Sequence, residues 1–125
     1  MIKPALHKQK YYAWKKGKKA EFLARWYLRI CGYKILDYNI KTSLGEIDII
    51  ARKKSCIFII EVKARKDLDK GLEAIQHYQQ KRIHKATLLW LQKTPQFGDY
   101  SVRFVALLII PLRLPKLILD AWFIE

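Results

Sequence analysis

Acidic and basic side chains interrupt two otherwise hydrophobic segments of the sequence. Glu46 and Asp48 alternate with isoleucines, and Glu61 and Lys63 alternate with aliphatic residues at the end of a second apolar run. Successive side chains of a strand point to opposite faces, so each polar pair shares one face of its strand. Carboxylates that converge repel each other, and hard oxygen ligands of this kind suit Mg²⁺ or Mn²⁺. The pattern is typical of metal-assisted phosphodiester hydrolysis, in which a lysine can orient the attacking water.

The register of a hairpin between the two segments decides whether these side chains meet. Directly opposed residues of an antiparallel pair lie on the same face. A four-residue connection, residues 53–56, sets Asp48 opposite Glu61 and Glu46 opposite Lys63, whereas a two-residue turn would set the two glutamates opposite each other. We favour the first register, because it gives Glu46 a cationic neighbour. The neighbouring residues at 47, 49, 60 and 62 are then expected to point into the opposite core layer.

The elements that position these residues follow from the hydrophobic periodicity. Residues 1–17 are predicted to form a basic aromatic arm, and residues 18–125 a single domain. Asp67 or Asp69 is predicted to cap the second helix, and Pro95 to end it. The predicted elements are a helix at Lys18–Cys31, strands at Tyr33–Lys41, Glu46–Arg52 and Cys56–Arg65, a helix that ends near Lys93, and a strand at Tyr100–Ile110.

The third segment predicts the fold class. Its continuous run from Cys56 to Ile60 is typical of a central strand that is buried on both faces. Helices must then cover both sides of the sheet, and the short polar breaks between the first three strands favour an antiparallel meander. We therefore expect an α/β three-layer sandwich with a mixed central sheet.

Composition limits the partners. Lys and Arg number 25 against 11 Asp and Glu, a formal charge of +14 in 125 residues. Such a chain favours polyanions, because each neutralised phosphate releases counterions, so nucleic acid is the leading partner and an anionic membrane surface the second. The two cysteines do not form a CxxC pair and the N-terminus lacks the apolar core of a signal peptide, which predicts a cytoplasmic setting. We expect no membrane span and no small-molecule cofactor.

Several short motifs occur in an order that resembles a known family. The chain is similar to the small YraN-like family of bacterial proteins, within the PD-(D/E)XK superfamily of restriction endonuclease-like and Holliday-junction resolvase-like nucleases. The resemblance covers about residues 17–104. It is carried by Gly17, Glu21 and Ala24, by Gly32, Tyr33 and Asn39, by the run Gly45-Glu46-Ile47-Asp48, by Glu61-Val62-Lys63 with Arg65, and by Gln80, Arg82 and Ile83.

The resemblance implies a restriction endonuclease-like fold and a metal-dependent DNA endonuclease that acts on branched or otherwise structured DNA. It implies Asp48, Glu61 and the backbone carbonyl of Val62 as ligands of Mg²⁺ or Mn²⁺, and Lys63 as the catalytic lysine. Glu21 would reach the metal from the first helix, and Glu46 and Gln80 would support the site or face the substrate. The basic residues that border these positions in sequence are expected to bind the DNA backbone with Gln80: Arg52, Lys53, Lys54, Arg65, Lys66, Lys81, Arg82 and Lys85.

Other interpretations remain open. The charged residues could form an ordinary cross-strand network, and Glu21 could pair with Arg25 one helical turn away. The family commonly has Asp where this chain has Val105, and Thr or Ser where it has Ala64. A non-catalytic nucleic-acid-binding protein on the same fold is therefore the alternative. The apolar tail with Trp122 could close the core or form the interface of a homodimer.

Overall fold

A computed structural model describes the backbone of residues 4–65 and 77–122, and the side chains of residues 17–65 and 79–122. Three residues of the predictions therefore lie outside the described residues: the candidate helix caps Asp67 and Asp69, and the predicted DNA-binding residue Lys66. The elements are α1 (Pro4–Ile30), β1 (Lys34–Lys41), β2 (Glu46–Lys53), β3 (Cys56–Ala64), α2 (His77–Gln92), a short 3-10 helix (Pro95–Phe97), β4 (Ser101–Ile109) and β5 (Lys116–Ile118).

Helix α1 packs one narrow stripe against the sheet. Ala20, Ala24 and Leu28 recur every four residues and are almost fully buried, as expected for an amphipathic helix. Gly32 adopts a φ of 91° just past the end of the helix, and the amide of Tyr33 donates to the carbonyl of Leu28 at 2.9 Å. This left-handed glycine ends the helix where the sequence predicted an end.

The start of α1 differs from the prediction. The helix begins at Pro4, so the backbone of the predicted arm, residues 1–17, is helical from Pro4 onward. Proline is favoured in the first turn of a helix, and the alanine, leucine and lysine residues that follow have high helix propensity. Residues 1–17 show no sustained hydrophobic period, so periodicity could not predict this part of the helix.

The described residues form a five-stranded sheet in the order β1-β2-β3-β4-β5. Strands β1, β2 and β3 are the predicted antiparallel meander. Strand β4 pairs with β3 in parallel, because the connection through α2 carries the chain back to the same end of the sheet, and β5 returns antiparallel to β4. The mixed sheet with helices confirms the predicted α/β three-layer sandwich.

The two faces of the sheet have separate cores. All residues of β3 from Ile57 to Val62 are buried, which confirms a central strand covered on both faces. On the α1 side, Ile60 and Val62 pack against the buried stripe of the helix. On the α2 side, Ile57 and Ile59 pack against Ile83, Ala86 and Trp90.

The tail completes the core on the α2 side. Trp122 is buried, with its ring 5.5 Å from that of Phe104 on β4. The preceding Asp120 accepts two hydrogen bonds from Arg103, at 2.9 Å from Nε and 2.6 Å from Nη2, which ties the tail to the sheet. Of the two alternatives for the tail, closure of the core is therefore the one observed for Trp122. No helix in the described ranges is both long and apolar enough to cross a membrane.

Candidate metal and active site

The β2–β3 hairpin brings the polar pairs together. Ile49 pairs with Ile60 and Lys53 with Cys56, which is the register that the sequence analysis favoured. The connection itself is shorter than predicted, because Lys53 and Cys56 already pair and leave a two-residue turn. Lys54 accommodates this turn with a left-handed φ of 55°.

The ladder between β2 and β3 ends at Ile49 and Ile60, and Asp48 and Glu61 are the next residues. There the strands separate, and Oδ2 of Asp48 accepts a hydrogen bond from the backbone amide of Val62 at 2.8 Å. The carboxylate therefore satisfies a main-chain donor that has lost its partner in the ladder. Asp48 lies in a fork between two diverging strands.

One side-chain orientation near this fork was predicted wrongly. Ile49 lies in the core on the α1 side as part of the same layer as Ile60 and Val62, but Ile47 lies in the core on the α2 side. Strict alternation would put Ile47 and Ile49 on one face. The change of face coincides with Asn39 on the paired strand, which has a left-handed φ of 51°. Asp48 therefore lies near groups from both layers, which include Glu21 on α1 and Lys63 on β3.

Glu61 holds the centre of the site. It is 7% exposed, and its Oε1 accepts a hydrogen bond from Nε2 of Gln79 on α2 at 2.7 Å. Nζ of Lys63, on the same face of β3, lies 3.3 Å from the same oxygen. The structure therefore brings together Asp48, Glu61 and Lys63 as predicted.

Burial and neighbouring carboxylates raise the pKa values of both acids. Burial, followed by the charge of Asp48, raises the pKa of Glu61 to about 8, although Lys63 acts in the opposite direction. Burial also raises the pKa of Asp48; the hydrogen bond from Val62 opposes this rise, and the charge of Glu21 adds to it. Two adjacent buried carboxyls cannot both ionise cheaply, so the site holds a proton or requires a cation near neutral pH.

Glu21 approaches the fork from α1. Among the described residues its Oε2 is buried without a hydrogen-bond partner. Nζ of Lys18 lies 3.9 Å from it. The predicted alternative partner of Glu21, Arg25, contacts another group: its guanidinium lies 4.3 Å from the ring centre of Tyr38. A buried carboxylate oxygen without a donor is costly unless something else binds it.

Glu46 does not have the neighbour that the sequence predicted. It is exposed and pairs with Lys41 in the β1–β2 ladder, whereas Lys63 pairs with Glu61. The predicted position of Glu46 opposite Lys63 is wrong because the ladder ends three residues earlier, at Ile49 and Ile60. Gln79, which sequence reasoning missed, contacts the site directly, while the resemblance had pointed to its neighbour Gln80. Periodicity could not separate two adjacent glutamines whose helix start was unassigned.

The predicted DNA-binding residues fall into separate regions. Arg65 lines a pocket with Glu21 and Lys63 beside the site, and Arg82 on α2 lies against Gly45 at the start of β2. Lys53, the last residue of β2, and the turn residue Lys54 lie about 16 Å from Asp48, at the other end of the hairpin. The guanidinium of Arg52 lies in the same region. It is near the ring of Tyr100, and its Nε donates to the carbonyl of Lys54 at 3.0 Å. Lys81 and Lys85 are exposed on α2, and Gln80 is half-buried there.

Lys53 has a structural contact instead of a free ammonium. Its Nζ donates to the carbonyl oxygen of Cys31 at 2.9 Å, past the C-terminal end of α1. The same ammonium lies 4.7 Å from the ring centre of Tyr33. A cation at this end of a helix is favoured by the helix dipole, so Lys53 makes a capping contact with α1, and its role in DNA binding stays a prediction.

The two departures from the family pattern have different surroundings. Val105 is fully buried in the core on the α1 side and pairs with Ile60 on β3. An ionised carboxylate at this position would therefore need a partner inside the core. Ala64 is half-buried and lines the same pocket as Arg65.

Known proteins resemble this chain over most of its length. It is 43% identical over 103 residues to a UPF0102 protein of Chelativorans sp. (strain BNC1), covering 82% of this chain and 83% of the relative. It is 44% identical over 108 residues to one of Agrobacterium fabrum, covering 86% and 88%, and 41% identical over 116 residues to one of Bartonella tribocorum, covering 93% and 89%. A family model, "Uncharacterised protein family UPF0102", matches residues 20–109, which include α1 from its buried stripe onward, the fork and β4. The chain belongs to the UPF0102 family.

Proposed function

We propose that this protein is a metal-dependent nuclease of the PD-(D/E)XK superfamily that hydrolyses phosphodiester bonds in DNA. The observation that carries the proposal is the convergence of Asp48, Glu61 and Lys63 at one fork of the sheet. They come from two strands, in the order in which the D…ExK motif of those nucleases places them. An ordinary surface charge network would not bury its central acid.

The donor set fits a divalent cation. Asp48 and Glu61 are adjacent acids whose pKa values are raised by burial and by neighbouring carboxylates, and a cation would offset both effects by favouring the ionised forms. The buried Oε2 of Glu21 also has no donor. Asp48, Glu61 and the carbonyl of Val62 would hold the ion, with Glu21 next to them. In the described ranges no three His, Cys, Asp or Glu side chains form a ready-made metal cage, so this set depends on the main-chain carbonyl.

The remaining chemistry belongs to the side chains. When bound, Mg²⁺ or Mn²⁺ would supply a bound water of lowered pKa and neutralise charge on the phosphate. Lys63 is a compact cation within 3.3 Å of Glu61, and it can orient a water or stabilise the charge that develops on a phosphate oxygen. Glu61 holds its proton below a pH of about 8 and can release it when a cation favours the ionised form.

Charge supports DNA as the substrate. Two pockets meet at Gly17 and Glu21: one also contains Lys18 and Lys41, and the other contains Lys63 and Arg65. Cations thus flank the acids on both sides, which suits a phosphate backbone that crosses the site. The net charge of +14 favours the same partner.

Cleavage of plasmid DNA and of a four-way junction, with Mg²⁺ or Mn²⁺, tests the proposal. Asp48→Ala and Lys63→Ala should each abolish cleavage, and Asp99→Ala should not, because Asp99 is exposed in the turn before β4. Cleavage that persists in Asp48→Ala, or that needs no divalent ion, would refute the proposed site.

One observation favours the second candidate, a non-catalytic nucleic-acid-binding protein. Both Lys63 and Gln79 already engage Oε1 of Glu61, so this oxygen has polar partners without a metal. Under this alternative the protein binds DNA with a steep salt dependence and cleaves neither substrate with either metal.

A further inference from the structure

Helix α1 exposes large apolar side chains on the side away from the sheet. Phe22, Leu23, Trp26 and Ile30, which we call the α1 stripe, are 55%, 52%, 52% and 78% exposed. The rings of Phe22 and Trp26 lie 6.4 Å apart in an edge-to-face arrangement, one helical turn from each other. Single exposed apolar residues are common on proteins, but a contiguous row that includes two aromatic rings is typical of a binding surface.

The α1 stripe begins where the candidate site ends. Lys18 and Lys19 line a shallow apolar hollow together with Phe22 and Leu23. Lys18 also lines the pocket that contains Glu21 and Asp48. A ligand that crosses the candidate site on this side therefore passes Lys18 and reaches Phe22.

The charges beside the α1 stripe distinguish among three candidate ligands: a second copy of the chain, an anionic bilayer and a nucleic acid. Lys18, Lys19 and Arg29 are exposed on the same helix. A second copy of the chain, packed symmetrically on this face, would bring these cations together on a protein whose net charge is +14. An anionic bilayer would match the charge, but it would also cover the pocket that shares Lys18, which a nuclease must keep open to its substrate.

Nucleic acid with unpaired bases matches both features. Alternating cations and aromatic rings bind single strands, because phosphates contact the cations and exposed base faces stack on the rings. In a duplex each base face is covered by its neighbours, so only unpaired bases can reach Phe22 and Trp26. The apolar and the charged parts of this surface then contact the same ligand.

We propose that the α1 stripe stacks the unpaired bases of a single-stranded nucleic-acid segment whose backbone continues past Lys18 into the candidate site. This inference rests on the proposed function and narrows its substrate to DNA that is single-stranded beside the bond to be cut. Phe22 and Trp26 contact the bases, and Lys18 and Lys19 contact the phosphates that connect them.

Fluorescence anisotropy without divalent metal tests the stacking step separately from cleavage. The probes are a labelled oligothymidylate, an abasic strand of the same length and a duplex. Phe22→Ala/Trp26→Ala should bind the oligothymidylate about tenfold or more weakly, because base–aromatic stacking contributes to affinity at each base. Its affinity for the abasic strand and for the duplex should not change. Leu88→Ala, which removes an exposed apolar side chain from α2, is the matched control and should leave all three affinities unchanged.

Three results would overturn the inference. An equal loss of affinity for the oligothymidylate and the abasic strand would show that the rings do not stack bases. If the double substitution abolished binding to vesicles of anionic phospholipid and left oligothymidylate binding unchanged, the α1 stripe would be a membrane-binding surface. A dimer in sedimentation that the double substitution dissociates, again with unchanged oligothymidylate binding, would assign it to a second copy. Failure of cleavage is a separate result, because Asp48→Ala should lose cleavage and keep base-dependent binding.

Discussion

The backbone amide of Val62 donates a 2.8 Å hydrogen bond to Oδ2 of Asp48, just beyond the last paired residues of β2 and β3. A side chain from one strand thus replaces the main-chain partner of the other. The bond fixes Asp48 next to Glu61 and keeps the fork open, since the strands cannot close while the carboxylate occupies the space between them. The proximity of the two acids is therefore built into the hairpin.

Asp48→Asn should separate the charge of this residue from its shape. The amide oxygen of asparagine can still accept the bond from Val62, but the repulsion with Glu61 disappears. The metal-free variant should be more stable than the wild type by about 1 kcal/mol in thermal or urea unfolding, and it should not cleave DNA. A variant less stable than the wild type would show that the charge of Asp48 is favourable in the folded protein.

The raised pKa of Glu61 predicts how stability depends on pH. Folding raises this pKa from 4.5 to about 8, so within that window the folded protein binds a proton that the unfolded chain releases. The contribution of Glu61 to stability is therefore fully present below about pH 4.5 and is lost as the pH rises through about 8. The difference should be on the order of a few kcal/mol.

Glu61→Gln isolates this effect, because glutamine does not titrate. The stability of the wild type should fall relative to that of the variant between about pH 5 and pH 9, measured by urea unfolding without metal. Comparison with the variant removes the contributions of other groups, which are common to both proteins. Parallel stability curves would mean that Glu61 is ionised throughout, and would argue against a buried acid pair.

Gln79 should matter although no sequence motif identified it. Gln79→Leu removes the 2.7 Å donor to the buried Glu61, while Lys63 remains beside the same oxygen. The change should cost about 0.5–1.5 kcal/mol of stability, the usual net contribution of one hydrogen bond. Gln92→Leu is the matched control, since Gln92 is exposed near the end of the same helix. Equal effects of the two substitutions in thermal unfolding would mean that the hydrogen bond contributes nothing.

Gly45 should tolerate no side chain. A Cβ at this position would overlap the carbonyl oxygen of Arg82 on α2, so Gly45→Ala must displace the helix and should cost about 1–3 kcal/mol. Gly17→Ala, where an added Cβ meets nothing within 4 Å, should instead stabilise α1 by up to about 1 kcal/mol. The two variants differ only in position, and urea unfolding should give shifts of opposite sign.

The sequence predicted most of the fold because its strands are strongly apolar and its breaks are short. Strand β3 was predicted within one residue of its observed bounds, Cys56–Ala64. The requirement that Asp48 and Glu61 share a face left two registers, and the observed one was favoured because it gave Glu46 a cationic neighbour, although Lys63 contacts Glu61 instead. What could not be predicted depends on conformations without a periodic signal. Left-handed Asn39 coincides with the change of face at Ile47, and left-handed Lys54 accommodates the two-residue turn. Neither conformation has a periodic signal in the sequence.

For a related reason, the predicted DNA-binding residues do not all lie beside the candidate site. Arg52 and Lys53 are close in sequence to Asp48, but a strand carries neighbours away from one another at about 3.3 Å per residue. Residues distant in sequence, such as Glu21 and Gln79, approach the acids through packing of whole helices. Proximity in sequence therefore identifies the site residues of the hairpin, but it does not identify the helix residues that pack beside them.

The contact between Lys53 and the end of α1 has a consequence for the candidate site. A helix is stiff along its axis, and Glu21 lies ten residues before Cys31, about 15 Å along α1. The hairpin turn thus anchors the far end of the helix, while the same hairpin carries Asp48 and Glu61 at its other end. One rigid frame sets the distance between the glutamate of the helix and the acids of the sheet. The length of the hairpin, from its turn to the fork, therefore determines where Glu21 of α1 lies along the axis of the sheet strands.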